Sequence, residues 1–194
     1  MKRTIKIIIP DAGPINTLAH AGLLDLLMIP TQTRLVILES IKNEIISQSR
    51  ELGMFIKKHE DRIDIIQTSI CQEDEQKKLR GESLGKGRGD LAIADFLMHF
   101  IDDEIGNSPA LVLFEDKQIA RLHLIGDVAE NAHFITTAAY LRKLEEEGYI
   151  DSFEETWKNI VDVNLIPNSK LSRSPNPQER EIESSMGSSI FEPR

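Results

Sequence analysis

The chain has 194 residues, 40% of them hydrophobic and 28% charged, so it can bury one sizeable core. Its 23 Lys and Arg against 32 Asp and Glu leave a formal net charge of -9, which excludes a generally basic nucleic-acid coat. A single cysteine, Cys71, excludes an internal disulfide, a thiolate zinc cage and a CxxC redox pair, and suits a reducing cytoplasmic setting. No signal peptide is expected, because Ile7-Ile8-Ile9 is stopped at once by Pro10 and Asp11. No window approaches the roughly 20 apolar residues that span a bilayer, so no membrane association is expected.

Ile5–Ile9 is a short β-branched run closed by Pro10, the pattern of a strand buried on both faces. Beyond Asp11-Ala12-Gly13-Pro14, residues Ile15, Leu18, Ala19, Leu23, Leu26 and Leu27 recur at helical spacing, with Gly22 as a break. Leu35–Leu38 is a second strand; Ile41, Ile45 and Ile46 begin a helix that continues or restarts through Phe55, and Ile63–Ile66 is a third strand. From Gln72 to Gly89 the chain turns polar, and Lys77–Arg88 holds Lys77, Lys78, Arg80, Lys86 and Arg88 against one acid, Glu82, as a basic loop. A helix from Gly89 to about Glu104 follows, then the strand Ala110–Phe114, a weaker strand Ala132–Ile135 and a helix Thr136–Glu147 closed by Gly148. Trp157, Phe153, Ile160 and Val161 pack a last helix on the body. Alternation of strands and helices predicts an α/β fold with a mainly parallel sheet covered on both faces.

The domain is expected over residues 1–167. Residues 168–194 carry Pro175, Pro177, Pro193 and several serines, and cannot form a core of their own. Ile182, Met186, Ile190 and Phe191 have helical spacing, so this tail is either a dispensable end or a segment that docks on a partner or on its own domain.

Chemistry in an open α/β sheet gathers outside the carboxyl ends of the strands. Asp11 follows the first strand and Asp116 follows Ala110–Phe114, with Glu115 beside it; each alone is also an ordinary turn or cap residue. At about 100° per residue, Ala94, Leu97 and Ile101 lie within about 40° of Asp90, so this carboxylate heads an apolar stripe and points inward. Asp95 is about 140° away and is expected in solvent. Glu44 lies about 60° from Ile41, at the margin of a buried face, whereas Glu39 sits at a helix start. No basic residue of matching burial accompanies Asp11, Glu44, Asp90 and Asp116, and two carboxylates about 4 Å apart repel by roughly 4 kcal/mol at an effective dielectric of 20. Carboxylate-only ligation selects Mg²⁺ or Mn²⁺ over Zn²⁺, and these cations serve phosphoryl chemistry.

The sequence resembles the PIN-domain nucleases in several segments: Ile7 to Ala19, with its apolar strand, Asp, small residues, Pro and apolar helix; Val36 to Glu44; Gly87-Arg88-Gly89-Asp90-Leu91-Ala92-Ile93-Ala94; Leu111 to Asp116; and Ile135 to Leu141 with Glu147-Gly148-Tyr149-Ile150. The likeness covers roughly residues 4–165. It implies a three-layer α/β/α sandwich and a metal-dependent endoribonuclease, most often the toxin of a toxin–antitoxin pair. It assigns the catalytic and metal-binding acids to Asp11, Glu44, Asp90 and Asp116, with Asp116 in better register than Glu115. An RNA substrate, an antitoxin protein and a homodimer are the implied partners. Lys77, Lys78, Arg80, Lys86 and Arg88 would hold the RNA backbone without reading bases. Thr137 either orients phosphate or water, or simply begins its helix.

Other motifs dissolve on inspection. Gly81–Gly87 lacks the spacing, the preceding strand and the Ser or Thr of a phosphate loop, and the five histidines show no metal-ligand spacing. A haloacid-type phosphotransferase needs an acid two residues after Asp11, where Gly13 stands. The competing class is a catalytically inactive RNA-binding or regulatory domain whose acids only cap helices.

Overall fold

The computed structural model describes residues 5–30, 32–46, 50–85, 87–106, 108–115 and 132–163. Five strands, β1 (Ile7–Pro10), β2 (Arg34–Leu38), β3 (Ile63–Ile66), β4 (Ala110–Phe114) and β5 (Ala132–Thr136), form one sheet in the order β3-β2-β1-β4-β5. All neighbours are parallel, with Ile8 beside Leu35 and Leu111, and Val112 beside Phe134. Every residue of β1 and β4 is buried, as their unbroken apolar composition requires of central strands covered on both faces. The helices are α1 (Ala12–His20), α2 (Glu39–Ile46), α3 (Arg50–Lys58), α4 (Ser69–Leu79), α5 (Arg88–His99), α6 (Ile101–Ile105), α7 (Thr137–Glu146) and α8 (Phe153–Val163). They flank the sheet in an α/β/α sandwich. The strand order reverses between β1 and β4, which opens a crevice beyond the carboxyl ends of these two strands.

Helix boundaries follow local chemistry. Gly22, at φ +69°, ends the α1 region in the left-handed conformation, and a 3-10 turn over Leu24–Met28 follows. The Tyr140 hydroxyl donates to the Leu26 carbonyl at 2.8 Å and ties α7 to that turn. Tyr140→Phe removes this bond, leaving the Leu26 carbonyl only the Ile29 N–H at 3.4 Å, and is expected to cost about 1 kcal/mol in chemical denaturation. On α8, Phe153 and Ile160 are buried and the Phe153 and Trp157 rings stack 5.9 Å apart, the packing expected of the last helix.

Three expectations are corrected. The polar stretch after Gln72 is not a loop throughout, because Ser69–Leu79 is helical and places Lys77 and Lys78 on α4. Only Cys71 and Asp74 of this helix are buried, so it carries no apolar stripe by which periodicity could reveal it. Asp95 is not solvated: it is 8% exposed and accepts the Ile70 N–H at 3.2 Å, satisfying a free donor in the first turn of α4. The predicted Gly89–Glu104 helix is also two helices, α5 and α6, separated at Phe100. Among the described residues no helix is long and apolar enough to cross a membrane.

Candidate active site

Asp11 follows β1 at the N-cap of α1 and is 7% exposed. Its carboxylate faces the N–H groups of Ala12 and Gly13 without the alignment of a capping hydrogen bond, so helix capping does not account for its burial. Burial pushes its carboxyl up to about 7, and repulsion from Asp90 and Glu44 adds to the rise against the lowering effect of the Ala12 and Gly13 N–H groups. These three predicted acids are therefore electrostatic neighbours.

Gly89 shows how they converge. Its backbone is buried in the first turn of α5, and a Cβ built on it would lie 3.7 Å from Asp11 Oδ1, 3.7 Å from Glu44 Oε2 and 3.5 Å from Ile41 Cγ1. The missing side chain leaves open a space between carboxylates from the end of β1 and from α2. Asp90 stands one residue on, half-buried, and Gly87 before it takes φ +73°, with Asp90 Oδ2 3.7 Å from where a Cβ would sit. The left-handed conformation at Gly87 and the room at Gly89 give physical reasons for the Gly-x-Gly-Asp pattern. A methyl at position 89 meets ordinary contact distances, so Gly89→Ala is expected to fold with little change in melting temperature. If the acids hold Mn²⁺ as the resemblance implies, filling that space would weaken its binding about 10-fold, as titration calorimetry would show.

A further carboxylate, Glu115, lies at the end of β4. Glu115 accepts hydrogen bonds from the Thr137 hydroxyl at 2.7 Å and the Thr17 hydroxyl at 3.0 Å. A Cβ on Gly13 would come within 3.2 Å of both Glu115 Cβ and Oε2, closer than ordinary contact, so Gly13 makes room for this side chain. Thr17 and Gly13 stand four apart on one face of α1 and hold the same carboxylate, a role that sequence reading missed. Thr137 acts on Glu115, and it is Thr136 whose hydroxyl caps α7 by accepting the Ala139 N–H at 3.1 Å. Asp116 lies outside the described residues.

The predicted basic group is dispersed. Arg88 is drawn onto α4, where it donates to Glu73 at 2.9 Å and to the Ile70 carbonyl at 3.3 Å and contacts Asp74 at 2.6 Å. Lys77 pairs with Glu73 at 2.6 Å, and Lys77 and Arg88 together lower the Glu73 carboxyl to about 2. Arg80 lies 3.8 Å from Glu82. Lys78 is exposed and has no ion pair among the described residues. Lys86 lies outside them. Lys78 and Arg88 face a cleft of about 450 Å³ that reaches Glu44 and is walled by α2, α4 and the loop before α5.

Buried Asp11 and half-buried Asp90 beside the exposed Glu44, their mutual repulsion and an open space at Gly89 fit a hard divalent ion in charge and ligand type. Among the described residues, no three His, Cys, Asp or Glu side chains close into a ready-made cage. Comparison with models of protein families, with curated proteins and with solved structures gives no match.

Proposed function

We propose that the protein is a cytoplasmic Mg²⁺- or Mn²⁺-dependent endoribonuclease of PIN-like type, acting as the toxin of a toxin–antitoxin pair. The observation that carries the reading is the burial of Asp11 beside Glu44 and Asp90 at the strand-order switch point, around a glycine whose missing side chain leaves room for a ligand. Asp11, Glu44 and Asp90 would hold the ion, with Glu115 fixed alongside by Thr17 and Thr137. When bound, such an ion supplies Lewis-acid stabilisation of the phosphodiester's developing charge and makes an attacking water more acidic.

The chain's own groups prepare that chemistry. Asp11 and Asp90 present anionic oxygens from the strand end and the first turn of α5, and the two threonine hydroxyls hold Glu115 in one orientation. Lys78 offers a cation to an RNA phosphate at the neighbouring cleft. An antitoxin and a second protomer complete the proposed assembly.

The test is cleavage of a structured RNA with Mn²⁺ or Mg²⁺. Asp90→Asn is expected to reduce cleavage at least 1,000-fold, and full activity in that variant overturns the assignment. RNA binding without cleavage in the wild type would favour the inactive RNA-binding alternative. Lys78→Glu is expected to weaken RNA binding and to reduce by about 1 the slope of log affinity against log salt; an unchanged slope removes Lys78 from the interface.

A further inference from the structure

Glu115 is seated by one face of α1. It follows the last residue of β4, and each of its carboxylate oxygens accepts one hydroxyl: Oε1 from Thr137 at 2.7 Å and Oε2 from Thr17 at 3.0 Å. Thr17 is 4% exposed and Thr137 1%, so both donors are shielded from water. Thr137 opens α7, yet the cap of that helix is the Thr136 hydroxyl, so capping does not explain where the Thr137 hydroxyl points. Gly13, about one turn before Thr17 on the same face, completes the seat. A Cβ there would stand 3.2 Å from Glu115 Cβ and Oε2, so the glutamate lies against the place a side chain would take.

The same helix begins at Asp11. The Asp11 N–H donates to the Leu113 carbonyl at 2.9 Å, two residues before Glu115, and Pro10 pairs with Leu113 across β1 and β4. Asp11 is thus pinned at the cap of α1, and the seat of Glu115 lies within about two turns of it. A single helix therefore sets the placement of the β4 carboxylate relative to Asp11, the most buried of the acids that converge on Gly89.

We infer that Thr17 is a positioning residue of the nuclease site, acting through Glu115 by its hydroxyl and not by its bulk. This rests on the ribonuclease reading, in which Glu115 joins Asp11, Glu44 and Asp90 around the ion, directly or through water. A glutamate turns about three side-chain bonds, and a carboxylate that serves an ion does so best when those rotations are stopped by the groups behind it. Here one buried hydroxyl on each oxygen stops them. A carboxylate oxygen can accept two hydrogen bonds, so each oxygen keeps an acceptor site for the ion or its water. A threonine on α1 is the right residue for this task, since its methyl packs in the helix surface while its hydroxyl reaches across to β4.

Valine and serine separate the hydroxyl from the packing. Thr17→Val keeps the volume and removes the donor, whereas Thr17→Ser keeps the donor and gives up a methyl group. Two quantities are read on the full chain: Mn²⁺ affinity, from the electron paramagnetic resonance signal of free Mn²⁺, and the kcat and KM for cleavage of a structured RNA at saturating Mn²⁺. Thr17→Val is expected to weaken Mn²⁺ binding about 10-fold and to lower kcat about 30-fold, with KM changed less than about 2-fold, and Thr17→Ser to restore both to within about 3-fold of wild type. A packing role gives the reverse order, with serine the more damaging. Melting curves in EDTA check folding, and if Thr17→Val does not fold, Gly13→Ala, whose Cβ crowds Glu115 out of its seat, is read in its place with the same expected losses. Wild-type values of either quantity in the variant that is read, or a serine variant as impaired as the valine one, overturn the inference. If the wild type binds Mn²⁺ but cuts no RNA, the nuclease reading is retired and Thr17 is judged on Mn²⁺ affinity alone. Metal-dependent cleavage that Thr17→Val leaves unchanged retires this inference alone, and a wild type that neither binds Mn²⁺ nor cuts RNA overturns both.

Discussion

Asp11→Asn is expected to stabilise the metal-free protein at pH 8 while abolishing RNA cleavage. In the folded chain the Asp11 carboxyl is raised from its ordinary 3.8 to about 7, chiefly by burial. Below about pH 4 it is protonated whether the chain is folded or not, and it does not affect stability. Between about pH 4 and 7 the folded state holds the proton more tightly, so this group's contribution falls as pH rises. Above pH 7 the folded protein carries the full penalty of a buried carboxylate, on the order of 4 kcal/mol. Asparagine keeps the size and removes the charge, so the stability difference between variant and wild type should be small at pH 4 and grow through pH 8. Urea denaturation in EDTA at both pH values measures it. A wild type as stable as the variant at pH 8 would show that Asp11 is not held against its charge. Stability given up at a site where function needs charge is a common exchange in proteins.

Arg88→Gln is expected to loosen the fold and not simply weaken RNA binding. The Arg88 side chain is 15% exposed and contacts Glu73, Asp74 and the Ile70 carbonyl, all on α4, while Asp95 of α5 accepts the Ile70 N–H. Together these contacts clamp α4 to α5 at its first residue and at Asp95, and so hold the turn that presents Gly89 and Asp90. Removing the guanidinium leaves Asp74 buried without its cation, a loss of about 1–3 kcal/mol. In a chain of this length that lowers the melting temperature by about 2–4 °C for each kcal/mol. An unchanged melting temperature with a large loss of RNA affinity would instead return Arg88 to the predicted RNA-binding group.

How legible these features were in the sequence depended on what each residue packs against. β1 and β4 were readable because a central parallel strand must be apolar on both faces, and Ile7-Ile8-Ile9 and Ala110–Phe114 have no polar interruption. The half-buried placement of Asp90 was readable from its stripe only as far as Leu97, which is buried; Ile101, also buried, belongs to the next helix, α6. α4 was not, since its contacts to the body run through Cys71, Asp74 and ion pairs to Arg88 and not through a hydrophobic face. The same reason hid the fate of the basic residues: charge along a sequence does not show which acid a folded neighbour brings. Arg88 meets Asp74 and Glu73 only once the loop after α4 has turned back. Thr17 escaped notice because its partner Glu115 is 98 residues away, and a threonine on a helix gives no signal of that kind. Asp95 was misplaced because helical projection sees only the face turned from the sheet, and a second helix, α4, covers that face.

The most direct measurement is the melting temperature of the full chain at pH 7.5 with and without millimolar Mn²⁺, beside Asp11→Asn and Asp90→Asn. An ion that binds the folded state alone stabilises it by RT ln(1 + [L]/Kd), about 2.7 kcal/mol at 100 times Kd. Neutralising the repulsion among Asp11, Glu44 and Asp90 should therefore raise the wild-type melting temperature by several degrees and leave both variants unmoved. No shift in the wild type, or the same shift in all three proteins, would contradict the assignment of these carboxylates to a metal-dependent active site.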